Sequence, residues 1–135
     1  MNEPIRSTLV SVNDRVHFLP KKCGNNFLLI EQTIYFWMKR LCPEYRGGYW
    51  AFYDLSNGGW FMTPDMDKCH IVWADNLFDD VLTAETAGIV ATLYGLNTVI
   101  DWGYDQTEQL MDSYWKLRDF AHEHADGAII AAAID

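Results

Sequence analysis

The spacing of apolar positions changes its period along the chain. Between residues 26 and 42, Phe27, Ile30, Ile34, Trp37, Met38 and Leu41 recur every three to four residues. That spacing predicts an amphipathic helix, and Pro43 follows where a helix should stop. The period then drops to two. Residues 48–55, 59–63 and 69–74 read as three strands of a meander, with turns at Ser56-Asn57-Gly58-Gly59 and Asp65-Met66-Asp67-Lys68. The Asn57-Gly58 pair between apolar runs predicts a tight hairpin turn with positive φ at both central residues. Trp50 and Phe52 point to one side of the first strand, Tyr49, Ala51 and Tyr53 to the other. Both faces are apolar, so part of the second face must be covered.

The remaining segments read as follows. Residues 5–12 are β-branched and suit a short strand. Asn13-Asp14 caps a short helix through Phe18 or Leu19, closed by Pro20. Thr83 caps a helix reaching about Ile100, with Glu85 in its first turn and a buried stripe of Ala87, Val90, Leu93, Tyr94, Asn97 and Ile100. Asp105 caps a last long helix, with Glu108 three residues on. Leu110, Tyr114, Leu117 and Ala121 form its inner face, and Gly127 breaks the pattern before an apolar tail suited to a short docked helix. Strands followed by helices predict an α+β fold. The expectation is a single domain over residues 1–135, with a small antiparallel β-sheet (a meander around residues 48–74) packed with three longer helices.

Half of the 135 residues are apolar and 15% are aromatic, which supports a real core and excludes a disordered chain. No apolar run reaches the roughly 18–20 residues that cross a bilayer. The first residues lack the basic and apolar regions of a secretion signal. A soluble cytoplasmic protein with no membrane partner is expected. Cys23, Cys42 and Cys69 are odd in number and widely spaced, which suits reduced, buried thiols better than a disulfide framework or a zinc knuckle.

Charge is unevenly distributed. The formal net charge is −9. Residues 1–54 hold seven basic and five acidic side chains, so they are +2; residues 55–135 hold three and fourteen, so they are −11. Direct DNA binding is not expected from such a field, because affinity for a polyanion comes mainly from Lys and Arg. A basic protein partner, or solubility alone, fits better. Asp105, Glu108, Asp112, Asp119, Glu123 and Asp126 fall on one broad face over about 30 Å of helix. Such a row could imitate a phosphate backbone, and it is equally what a solvated helix face looks like.

Little else carries chemistry. His122 and His124 diverge by about 200° on a helix, and His70 has no acid beside it in sequence. No metal site, cofactor site, nucleophile motif or phosphate loop is identified. Asp54 beside the turn is expected to hydrogen-bond local backbone. Tyr49, Tyr53 and Trp60 could form a base-stacking platform, but the sheet has almost no cations besides Arg46, and core packing is the better account. No catalytic residue is assigned, and the protein is not expected to be an enzyme.

The ordered motifs go further. Arg15-x-x-Phe18-Leu19-Pro20, Phe36-Trp37-Met38-x-Arg40-Leu41, Tyr45-x-Gly47-Gly48-x-Trp50, Phe52-Tyr53-Asp54-Leu55-Ser56-Asn57-Gly58-Gly59-x-Phe61-Met62-x-Pro64, Ala87–Leu93 and Leu117–Ala121 together resemble the ArdB/KlcA antirestriction family. The resemblance covers nearly the whole chain. It implies a small non-catalytic accessory protein of plasmids, pathogenicity islands or other mobile DNA, without cofactor. Such a protein protects incoming DNA from type I restriction–modification complexes, by direct or indirect action. The sequence does not fix an oligomeric state, nor which subunit of that complex is affected.

Overall fold

From Thr86 to Ile100 the chain carries no charged residue, and this stretch becomes the centre of the fold. The computed structural model describes residues 3–103 and 107–135. Their elements are β1 (Ser7–Leu9), α1 (Arg15–Cys23), α2 (Phe27–Leu41), β2 (Trp50–Leu55), β3 (Trp60–Pro64), β4 (Lys68–Trp73), β5 (Phe78–Thr83), α3 (Ala84–Trp102), α4 (Thr107–Glu123) and α5 (Gly127–Ile134). Thr83 caps α3 as predicted, its hydroxyl accepting from the Thr86 N–H at 3.1 Å. The predicted single stripe is too narrow. Gly88, Ile89, Ala91, Thr92 and Leu96 are buried as well, whereas Asn97 is exposed. α3 packs against β3, α2, α4 and α5 together, so most of its surface has no water to face.

Two glycines let backbones touch it. A Cβ on Gly88 would stand 2.2 Å from the Met62 carbonyl oxygen, and one on Gly95 would stand 2.5 Å from Ile34 Cγ1. Gly88 thus seats α3 on β3, and Gly95 seats it on α2.

β1, β2 and β3 form one antiparallel sheet in that order. Ser7 pairs with Leu55, and Trp50 with Pro64. Phe18 of α1 stacks on Phe52 (centroids 5.8 Å apart), and Tyr35 of α2 leans on Trp50. On the opposite face Phe61 stacks on Phe120 of α4 at 5.7 Å. Both faces are covered, as the two-sided apolar pattern required.

The third predicted strand does not extend the meander. β4 pairs with β5 in a separate two-stranded sheet, Lys68 opposite Thr83 and Trp73 opposite Phe78. The reason lies at the outer edge of β3. The Thr92 hydroxyl accepts the Met62 N–H at 3.2 Å, and Gly88 presses on the Met62 carbonyl. α3 has taken the edge that β4 would need. β5 itself was missed because Asp79 and Asp80 break any two-residue apolar alternation, and both are exposed.

The fold remains α+β, with α2, α3 and α4 as its three long helices. Pro20 does not close α1 but rides inside it, and Gly24 terminates the helix at φ 61°. α1 therefore forgoes one internal hydrogen bond at Pro20. The apolar tail docks as α5, burying Ile130 and Ala133. Among the described residues no helix is long and apolar enough to cross a membrane.

Candidate functional site

The signature hairpin is a latch between the sheet and α4. Its turn differs from the predicted one. The Leu55 N–H donates to the Gly59 carbonyl, and the Gly58 N–H donates to the Leu55 carbonyl, each at 2.9 Å. Only Gly58 takes positive φ, at 93°. The loop is therefore three residues long, a turn through Ser56 and Asn57 followed by a left-handed glycine, and not a two-residue turn. The extra residue frees Asn57 to reach outward. Its Oδ1 accepts from the Gly59 N–H at 2.9 Å, and its amide donates to the Lys116 carbonyl of α4 at 3.0 Å. A Cβ on Gly59 would come within 2.9 Å of Lys116 Cβ, so the glycine lets the helix lie against the turn.

The other motif residues serve the same joint. Phe52 and Leu55 are buried, and Tyr53 stacks flat on Phe61 at 5.0 Å. The Ser56 hydroxyl accepts from the Arg6 N–H at 2.8 Å and so holds β1. Asp54 pairs with Lys22 of α1 at 3.0 Å, and the same ammonium donates to the Gly58 carbonyl at 3.1 Å. Asp54 has a structural cation for its partner, as sequence distance alone could not reveal. Arg15 lies between the rings of Tyr49 and Phe52, 4.4 and 4.3 Å from their centroids. With Tyr53 under Phe61, Trp60 buried and Tyr49 under Arg15, no base-stacking platform forms.

The predicted acidic row divides. Glu108, Asp112, Asp119 and Glu123 are exposed on α4, within about 60° of one another. Glu123 accepts the Ile5 N–H at 3.0 Å and ties down the N-terminal segment. Asp126 lies beyond α4 and accepts from the Thr86 hydroxyl at 2.8 Å, bracing the start of α3. Asp105 lies outside the described residues. Asp112 pairs with Lys116 at 2.9 Å, which on an exposed face contributes little to stability.

Two side chains within this row were not singled out from sequence. Trp115 is 56% exposed and Met111 43%. Their helical offsets from Glu108 place them beside the carboxylates, and that spacing was available to find them. Arg118 lies 5.6 Å over the Trp115 ring and 5.9 Å over Tyr114. The face is thus an aromatic surface flanked by acids. The tryptophans are not uniformly core: Trp50 and Trp60 are buried, while Trp102 and Trp115 lie more than half exposed.

Elsewhere two histidines meet carboxylates. His70 does have an acid beside it, for β5 brings Asp79 to 2.5 Å. His124 meets Glu85 at 2.6 Å. Among the described residues no group of three or more His, Cys, Asp or Glu side chains could hold a metal ion. The three cysteines are buried and free. Burial pushes the Cys23 and Cys69 thiols up to about 12, far from the range of a reactive thiolate.

A model of the antirestriction protein family matches residues 43–135, and the chain belongs to that family. Within it, the chain is 44% identical to an antirestriction protein KlcA of Escherichia coli, over 98% of this chain and 94% of that one. It is 38% identical to another Escherichia coli KlcA, over 99% and 97%. A solved structure matches with a TM-score of 0.92 at 39% identity, covering 100% of both chains. It comes from work on the KlcA and ArdB proteins, which have a novel fold and antirestriction activity against type I DNA restriction systems in vivo but not in vitro.

Proposed function

We propose that this protein is a non-catalytic antirestriction protein that interferes with type I restriction–modification and so protects incoming mobile DNA. In this reading residues 1–135 work as a single cytoplasmic domain. The observation that carries it is the full-length likeness to KlcA and ArdB, at a TM-score of 0.92. The likeness spans the signature hairpin and α4 alike.

Two further observations support a reading of its mode of action. KlcA and ArdB act in vivo but not in vitro. A simple carboxylate decoy for a DNA-binding cleft would work on the purified enzyme, so activity confined to cells favours a cellular partner. The outer face of α4 suits one. Exposed aromatic and thioether side chains with charged residues around them are the composition of protein–protein contact patches. Trp115 and Met111 would bury against a partner whose basic groups meet Glu108, Asp112 and Asp119.

DNA mimicry is the second reading, favoured by the carboxylates that remain exposed on α4. The two readings differ over purified components. Unmodified phage or plasmid DNA should survive better in a type I host when the protein is expressed, with no change in a restriction-free host. Equal survival in the restricting host, at verified expression, rejects both. Inhibition of the purified restriction complex, relieved by competing DNA, selects mimicry over a cellular partner.

A further inference from the structure

A cleft of about 560 Å³ opens between α2 and the segment that joins it to β2, lined by Tyr35, Phe36, Lys39, Arg46, Gly47 and Gly48 together with Gln32 and Tyr45. None of these residues is acidic. The larger cleft beside β1 differs, since Lys21 and His17 there share the wall with Asp14 and Asp54. The lining beside α2 thus carries Lys39 and Arg46 and no carboxylate, and a concave site focuses its field on an incoming anion.

The wall is held in place. Tyr35 rests on the Trp50 ring at 5.3 Å, and Phe36 meets Trp37 edge-on at 6.4 Å while staying 54% exposed. Burial, and after it the neighbouring Glu31, pushes the Tyr35 phenol up, so it stays a neutral ring. Arg46 Nη1 donates to the carbonyls of Pro43 at 2.7 Å and Tyr45 at 3.2 Å, which fixes the guanidinium at the rim. Gly47 and Gly48 have φ of 89° and 116°, with no atom within 4 Å of where a Cβ would stand. Backbone without side chains allows a ligand to approach closely.

We propose that this cleft binds a nucleotide, its base stacked on the Tyr35 and Phe36 rings and its phosphate held by Lys39 and Arg46. The volume lies within the roughly 300–1,000 Å³ of small-molecule sites. Aromatic faces accept any base by stacking, and Arg presents a planar fork that matches phosphate oxygens. This site stands apart from the α4 face and does not depend on the antirestriction reading.

The test is an amide NMR titration of the full chain with ATP, inorganic pyrophosphate, adenosine and pentathymidylate. ATP should shift amides between residues 32 and 48. Pyrophosphate and adenosine, each carrying half of the recognised chemistry, should bind at least about tenfold more weakly. Phe36→Ala and the pair Lys39→Ala, Arg46→Ala should each weaken ATP binding by about tenfold with unchanged melting, since all three side chains are exposed. Lys39→Glu alone serves if the Arg46 change disturbs its loop. Pentathymidylate binding more tightly at the same amides assigns the nucleotide to a strand, and weaker binding assigns it to the free pool; both retain the proposal. Absence of any shift with ATP and with pentathymidylate overturns it. So does pyrophosphate binding as tightly as ATP, or ATP binding that survives the cation variants.

Discussion

The Asn57 side-chain amide donates to the backbone carbonyl of Lys116 at 3.0 Å while its Oδ1 accepts from the Gly59 N–H at 2.9 Å. One side chain closes the hairpin loop and fastens it to the middle of α4. The carbonyl it reaches lies one residue beyond Trp115, so the family motif positions the face that carries the exposed ring.

Asn57→Ala removes both bonds and leaves the Gly59 donor without its side-chain acceptor. It should destabilise the protein by about 1–3 kcal/mol, and amide exchange on α4 should accelerate with it. Gly58→Val should cost about 1–3 kcal/mol, because a β-branched residue resists the φ of 93° and its side chain meets Lys116 Nζ. Denaturation midpoints measure both. A wild-type midpoint for Asn57→Ala would remove the latch.

Gly88→Ala tests the seat of α3 on β3. The new Cβ would stand 2.2 Å from the Met62 carbonyl and 2.8 Å from Thr63 Cα, both backbone atoms that cannot rotate away. A loss of about 3 kcal/mol or more is expected from such overpacking. Thermal melting of the variant reads it directly, and a small change would mean that α3 does not contact the β3 backbone there.

High pH should weaken the fold through its thiols. Cys23 and Cys69 are raised from 9.0 to about 12 by burial. Between those values the unfolded chain loses thiol protons that the folded chain keeps, so stability falls as pH rises and is unaffected below the lower value. The slope is on the order of 1 kcal/mol per pH unit per thiol. Urea midpoints at about pH 8 and about pH 10.5 bracket the window. Cys23→Ala should flatten the decline, and an unchanged slope in that variant would assign the loss to other groups.

Much of this architecture is legible in the chain itself. The 3–4 spacing of Ile30, Ile34, Met38 and Leu41 gives α2, the Thr83 cap gives the start of α3, and the Asn57-Gly58 pair gives the hairpin. What is hidden is what depends on neighbours distant in sequence. The β3 edge is lost to Thr92 and Gly88 thirty or so residues away, which redirects β4 to a strand that reads as polar. Asp54 finds Lys22, Glu123 finds Ile5 and Asp126 finds Thr86, none of them adjacent in sequence. These partners decide which carboxylates are structural and which remain on the α4 face. The cleft between α2 and β2 is likewise hidden, because Tyr35 and Lys39 share a face of α2 while Arg46 meets them only after the chain turns at Pro43.

The most direct measurement is type I restriction in living cells expressing either the wild-type protein or a variant of the exposed α4 face. The variant is Glu108→Gln, Asp112→Asn, Trp115→Ala and Asp119→Asn, sparing the structurally engaged Glu123 and Asp126. Its exposed sites should each change stability by only about 0.5 kcal/mol, and matched melting and expression would verify that. Wild type should raise the survival of unmodified DNA, and the variant should lose most of that protection. Full protection by the well-folded variant would contradict α4 as the working surface.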